Sequence, residues 1–192
     1  MGKVDSVTTV LQDPYQKYAF RIPPERLQEA AERGSLVHRI IPNLLDPDRF
    51  YVPMADKKSP VARGYIQSFM LWHDLMVDET LYIEKELVCD CFQFVGHIDW
   101  IGVLIDGSIA ILDWKTPITE GRVWRAQLGA YYHLVIKHLH VLIPRLRESK
   151  IRIGAIMLSP TGKPGRMKEY TKNVYLHFDD FLIALNYRRT FA

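Results

Sequence analysis

The run GHIDWIGVLIDGSIAILDWKT, residues 96–116, constrains this chain more than any other segment. It reads as two apolar strands joined by a tight turn, with an acid on each strand and a lysine two positions beyond the second acid. Strand side chains alternate between faces, so Asp113 and Lys115 project from the same side. Two carboxylates and an ammonium on an apolar hairpin are costly to bury without a partner. A divalent metal and a phosphate would satisfy all three. Register decides whether Asp99 joins the other two. A two-residue turn at Asp106-Gly107 sets Asp99 opposite Trp114, pointing away from Asp113. A three-residue loop, Ile105-Asp106-Gly107 with Gly107 left-handed, sets Asp99 opposite Asp113. The odd-length loop is expected, because it alone gathers the three groups on one face.

At 192 residues the chain is expected to form a single domain, residues 1–192, with a substantial core. Hydrophobic residues make up 48% and charged residues 24%, the balance of an ordinary globular protein rather than a disordered or fibrous one. No window of about 18 uncharged apolar residues occurs, so no membrane span is expected. The opening MGKVDSVTTVLQDP lacks a long apolar core and does not read as a secretory signal. Cys89 and Cys91 are spaced CxC and read as reduced thiols of a cytoplasmic protein, without a bond between them. Two thiols alone do not supply the four ligands of an iron–sulfur cluster or a structural zinc, so no cluster is expected. The net charge of +3 is compatible with nucleic acid without pointing to it. The distribution says more: Lys163, Arg166, Lys168 and Lys172 crowd residues 163–172 against one acid, Glu169.

Along the chain, residues 6–12 form a short β-branched run that reads as an edge strand. A helix is expected from Pro23-Pro24 to about Ile41, ended by Pro42 and Asp46-Pro47. A second opens at Ser59-Pro60, with Ser59 as its cap, and runs to about Val77; Ile66, Phe69, Met70 and Leu75 recur on it at helical spacing. Strands follow at about 80–89, 92–103 and 108–115, then a helix over about 120–141. A strand at 151–158, the basic loop, a strand at 172–177 and a helix from about Asp179 complete the chain. The order predicts an α/β fold with a central mixed β-sheet flanked by helices.

Phosphodiester cleavage needs an activated water and neutralisation of charge on the phosphate. Carboxylates holding a hard cation supply much of this, and a nearby lysine can orient the water. Asp-x-Lys at a strand end, with an acid on the neighbouring strand, meets those needs. The Trp114 carbonyl between them offers one more oxygen.

The pattern GHID…ILDWKT resembles the PD-(D/E)xK nuclease superfamily, in particular its RecB-like and phage-exonuclease-like branch. Gly34-Ser35-Leu36-Val37-His38 is similar to that branch's helical histidine motif, and Gln127-Leu128-Gly129-Ala130-Tyr131 to its Q-x-x-x-Y motif. Glu84 in YIEKEL resembles the acid that often precedes the Gly-x-x-Asp strand, although Glu86 shares its expected face. The similarity spans roughly residues 6–159. It implies a restriction-endonuclease-like core, with Asp99, Asp113 and Lys115 catalytic. It also implies Mg²⁺ or Mn²⁺ held by His38, Asp99, Asp113 and the Trp114 carbonyl, with Glu84 in support. Gln127 and Tyr131 share a helix face and are implied to contact DNA phosphate or the lysine. Arg125, Lys163, Arg166 and Lys168 are candidates for the phosphate backbone, and Trp124 for base stacking or core. The remaining histidines (His73, His97, His133, His138, His140 and His177) read as structural, with His97 facing away from Asp99.

The activity these features imply is metal-dependent hydrolysis of DNA, as an exonuclease acting on single- or double-stranded ends in recombination, repair or replication. A structure-specific or restriction-type endonuclease of the same fold, or a non-catalytic nucleic-acid-binding subunit, remains open beside it. A helicase or a single-strand annealing protein would be the natural partner, since no GxxxxGK[ST] loop builds a motor into the chain. The cytoplasm is the expected compartment, that of the host cell if the gene is phage-borne.

Overall fold

The hairpin read from residues 96–116 forms the centre of a six-stranded mixed sheet. The computed structural model describes residues 4–12, 23–117, 121, 123–142 and 150–191. In chain order these give β1 (Asp5–Ser6), α1 (Pro24–Leu45), α2 (Met54–Lys57), α3 (Pro60–Met76), β2 (Val77–Cys89), β3 (Phe94–Leu104), β4 (Ile109–Lys115), α4 (Trp124–Leu142), β5 (Ile151–Met157), β6 (Arg166–Glu169) and α5 (Val174–Phe191). β2 runs antiparallel along one edge of β3. β4 pairs antiparallel with the other edge, and β1 lies parallel to the start of β3, where Asp5 meets Phe94. β5 is parallel to β4, reached through the α4 crossover, and β6 closes the far side antiparallel to β5. The fold is therefore α/β, an open mixed sheet flanked by helices. No helix among the described residues is long and apolar enough to cross a membrane.

The β3–β4 register is the one the three-residue loop requires. Val103 pairs with Ile109 and Trp100 with Leu112. Gly107 closes the loop at φ 78°, and its N–H donates to the Leu104 carbonyl at 2.8 Å. Continued by one row, this register sets Asp99 opposite Asp113. The ladder stops before that row, so the strands part where the two acids sit.

Two cores flank the sheet. On one side α4 and α5 bring Tyr131, Leu134 and Phe181 onto Phe94, Ile98, Ile101, Ile111 and Ile153. On the other, α1 and α3 bring Val37, Ile41, Phe69 and Trp72 onto Trp100, Leu112, Trp114 and Ile156. In this second core the Trp72 ring lies edge-on to Trp100 and Trp114, with centroids 6.3 and 5.9 Å away.

β3 does not keep one phase. Phe94 and Ile98 belong to the α4–α5 core, whereas Trp100 and Leu104 belong to the α1–α3 core. An unbroken strand would put all four on one face. β2 changes side in the same place, since Ile83 packs with Trp100 and Leu87 with Phe94. The pivot in β2 is Glu84, a non-glycine residue at φ 48°. The Glu84–Asp99 row is absent from the ladder, although the pairs on either side, Ile83 with Trp100 and Lys85 with Ile98, hold one register.

Several local expectations are corrected. Residues 7–12 are helical, not a strand: the Ser6 hydroxyl accepts the Thr9 N–H, and Val7, Val10 and Leu11 are buried at helical spacing. α1 runs through Pro42 to Leu45, because a proline in the last turn removes one bond without ending the helix. Ser59 sits at the start of α3 but makes no side-chain cap. The buried stripe of that helix is Ala62, Tyr65, Phe69 and Trp72, while Met70 and Leu75 are exposed. Residues 172–177 are not a strand: β6 lies earlier, inside the basic segment, and α5 already begins at Val174. The proposed start of the third helix, residue 120, lies outside the described residues.

Candidate metal and catalytic centre

The open end of the β3–β4 hairpin collects side chains from both layers. α1 carries His38 to it from one side and α4 carries Gln127 from the other. Asp99 is buried and its Oδ2 accepts the Trp114 N–H at 2.7 Å, a bond that replaces a ladder contact where the strands part. His38 Nδ1 lies 3.4 Å from the same oxygen, and His38 Nε2 lies 2.8 Å from the Trp114 carbonyl. Glu84 completes this group: one ligand atom from each of His38, Glu84 and Asp99 lies within 4.8 Å of the others. The left-handed backbone at Glu84 turns its carboxylate inward. Glu86, its rival in the sequence, instead pairs with His97 at 2.7 Å on the surface.

Asp113 stands beside this group and faces α4. Its Oδ1 accepts the Gln127 amide at 2.8 Å. Its Oδ2 lies against the Lys115 ammonium, yet accepts no well-directed hydrogen bond. Gln127 also accepts from Lys115 Nζ at 3.1 Å and donates to the Tyr131 hydroxyl at 3.0 Å. One amide thus joins acid, lysine and tyrosine. Gln127 and Tyr131 are both buried, and the helix face carrying them is turned toward Lys115 and Asp113.

The charges interact as their crowding requires. Burial works against charge on His38, but the Asp99 carboxylate overrides it and raises the imidazole to about 9. Burial would push Asp99 up as well, but His38 and Lys115 hold it below the usual carboxylate range. The other two acids go the other way. Burial, then the Asp99 charge, raises Asp113 to about 6, and the same two causes raise Glu84 to about 7. With protons alone, the three carboxylates do not all stay ionised near neutral pH. Oxygen donors strained in this way, with one imidazole beside them, suit a hard divalent cation.

The other sequence candidates divide. Arg125 is drawn to Asp180 of α5 at 3.2 Å. Trp124 is core, with Lys115 Nζ 6.0 Å from its ring centre. Lys163, Arg166 and Lys168 are exposed. The sheet rows Lys115–Met157–Arg166 and Asp113–Ala155–Lys168 put the last two on the same sheet face as the site's lysine and acid. His97 does face away from Asp99, but only because β3 changes phase at Asp99; two residues apart on a regular strand would share a face. The His140 side chain lies outside the described residues. One residue went unread in the sequence. Arg33, on α1, donates to the Thr116 carbonyl at 3.2 Å next to Lys115, and its Nε is buried without a hydrogen-bond partner. Its position beside the Gly34–His38 motif was the available signal.

Comparison of the sequence with protein-family models and with curated proteins returns no match.

Proposed function

We propose that this chain is a metal-dependent DNA nuclease that hydrolyses phosphodiester bonds. Its core would be restriction-endonuclease-like, and its relatives the RecB-like and phage-type exonucleases of the PD-(D/E)xK superfamily. The supporting observation is the convergence of His38, Glu84 and Asp99 beside the Asp113–Lys115 pair. Glu84, Asp99 and His38 would hold Mg²⁺ or Mn²⁺, with Asp113 and the Trp114 carbonyl at the rim. Such a cation, when bound, supplies the charge that polarises a phosphate and acidifies a water.

The chain's own residues do the rest. Asp113 and Gln127 fix the Lys115 ammonium, which orients the attacking water and offsets charge growing on the phosphate. Tyr131 fixes Gln127 in turn. Arg166 and Lys168 continue the positive face outward from the site and would hold backbone phosphates, with Lys163 nearby in sequence. Attack on DNA ends is favoured over internal cleavage by the histidine and glutamine–tyrosine motifs. A helicase or an annealing protein would then supply or receive the processed strand.

End-labelled linear DNA and closed circular DNA, each with and without Mg²⁺ or Mn²⁺, test the proposal. Metal-dependent loss of the linear substrate alone is the expected outcome. Cleavage of the circle would make the enzyme an endonuclease. Full activity in Lys115→Ala would remove the lysine's role, and no metal-dependent cleavage of either DNA would reject the nuclease.

A further inference from the structure

A second convergence lies at the turn of the β2–β3 hairpin, five residues along each strand from the Glu84–Asp99 row. Cys89, the last residue of β2, is buried, and Cys91 in the turn is exposed. Their sulfurs are 3.2 Å apart. His133 of α4 brings Nε2 to 3.7 Å from Cys89 Sγ, and the three donor atoms all lie within 4.8 Å of one another. A tetrahedral zinc with usual bond lengths separates two thiolates by about 3.8 Å and a thiolate from an imidazole nitrogen by about 3.6 Å. Each of the two measured separations is within about 0.6 Å of those spacings, so small side-chain adjustments suffice.

We propose that Cys89, Cys91 and His133 form a zinc site, separate from the oxygen-rich centre, with a fourth position open to water. Thiolate and imidazole donors select Zn²⁺ over Mg²⁺ or Mn²⁺, so the two centres take different metals. The surroundings favour a ligand histidine. Its ring stacks on Phe178 with centroids 4.1 Å apart, which fixes its direction. Lys137 Nζ lies 3.4 Å from Cys91 Sγ, on the exposed side of the cluster. The two cysteines alone fall short of a metal site; the fold adds the third donor from a helix more than forty residues away in sequence. Its role is a clip, joining the turn at 90–93 to the helix that also carries Gln127 and Tyr131.

The test uses the full, reduced chain titrated with Zn²⁺ against a chromophoric chelator, and with Co²⁺ followed by absorption. The titration is run in the Asp99→Asn background, which disables the oxygen-rich centre, because with zinc alone in solution that centre can fill as well. One zinc per chain, and a Co²⁺ spectrum with thiolate charge transfer, are expected there. Both should vanish when Cys91→Ser, an exposed position whose metal-free melting point should equal that of the background, or His133→Gln is added. Zinc should raise the melting point of Asp99→Asn, but not of Asp99→Asn combined with Cys91→Ser. Equal zinc uptake by Asp99→Asn with and without Cys91→Ser, a cobalt complex without the thiolate band, or no uptake at micromolar zinc would overturn the site.

Discussion

Glu84 and Asp99 meet across β2 and β3 at the level where both strands change face, and there the acids come within ligating reach of His38. The pair separates two residues that look alike in the sequence. Glu84→Gln should weaken Mn²⁺ binding by about ten- to a hundredfold, the range found when groups that hold a metal are altered. Glu86→Gln, which loses only a surface contact to His97, should leave it unchanged. Isothermal titration of both variants decides the matter, and equal affinities would remove Glu84 from the centre.

Gln127 touches Asp113, Lys115 and Tyr131 at once. Gln127→Leu leaves the ammonium and a buried acid short of a partner, and cleavage should fall by about tenfold or more, mainly in kcat. Lys115→Ala, which deletes the group itself, should cost about 10²–10⁴-fold. A rise in KM with unchanged kcat for Gln127→Leu would mean that the amide binds substrate rather than positioning the lysine.

His38 gives the metal-free protein a pH signature. Its folded pKa of about 9 exceeds the ordinary 6.5, so the folded state holds the proton more tightly. The stability this confers is present in full below about pH 6.5 and is lost as pH rises through about 9. In EDTA, the melting temperature should fall across that window for the parent chain and fall less for His38→Gln. Identical slopes would show that the Asp99–His38 pair does not form without metal.

Gly129 tests how closely α4 and α5 approach. A Cβ there would stand 2.6 Å from the His177 carbonyl carbon and the Phe178 nitrogen. Alanine in a helix interior gains about 1 kcal/mol over glycine. Overpacking against backbone costs about 1–3 kcal/mol, and backbone yields less readily than a side chain. Gly129→Ala should therefore destabilise the fold in urea denaturation; a gain in stability would show that the helices separate easily.

Arg166 and Lys168 lie on the sheet face of Lys115 and Asp113, two strands away. Replacing both by alanine should weaken DNA binding evenly across sequences and lower the salt slope of log K by about two. An unchanged slope would place the nucleic acid elsewhere.

Much of this arrangement is legible in the sequence because strand parity and turn chemistry are local. Gly107 after Ile105-Asp106 fixes the register that brings Asp99 toward Asp113. The QLGAY spacing likewise puts Gln127 and Tyr131 on one helical face. What parity does not reveal is its own interruption. Period-two reasoning gives Glu84 and Glu86 the same face, while the left-handed turn at Glu84 comes from packing against two cores. The strand expected at 172–177 failed for a related reason. Val174, Tyr175 and Phe178 suit either structure, and the helix is chosen by how Val174, Phe181, Ala184 and Leu185 bury against α4. His133 read as structural for want of Cys89 and Cys91 beside it, a nearness that only the tertiary fold creates.

The change of phase in β3 also sends residues of equal parity into different cores. Phe94 and Trp100 belong to one eleven-residue strand, yet they pack in different cores on opposite faces of the sheet. Cavities cut at the two positions share no lining, so their effects on stability should simply sum. Asp99 sits at the seam. The residue at that seam is one whose own contacts are electrostatic.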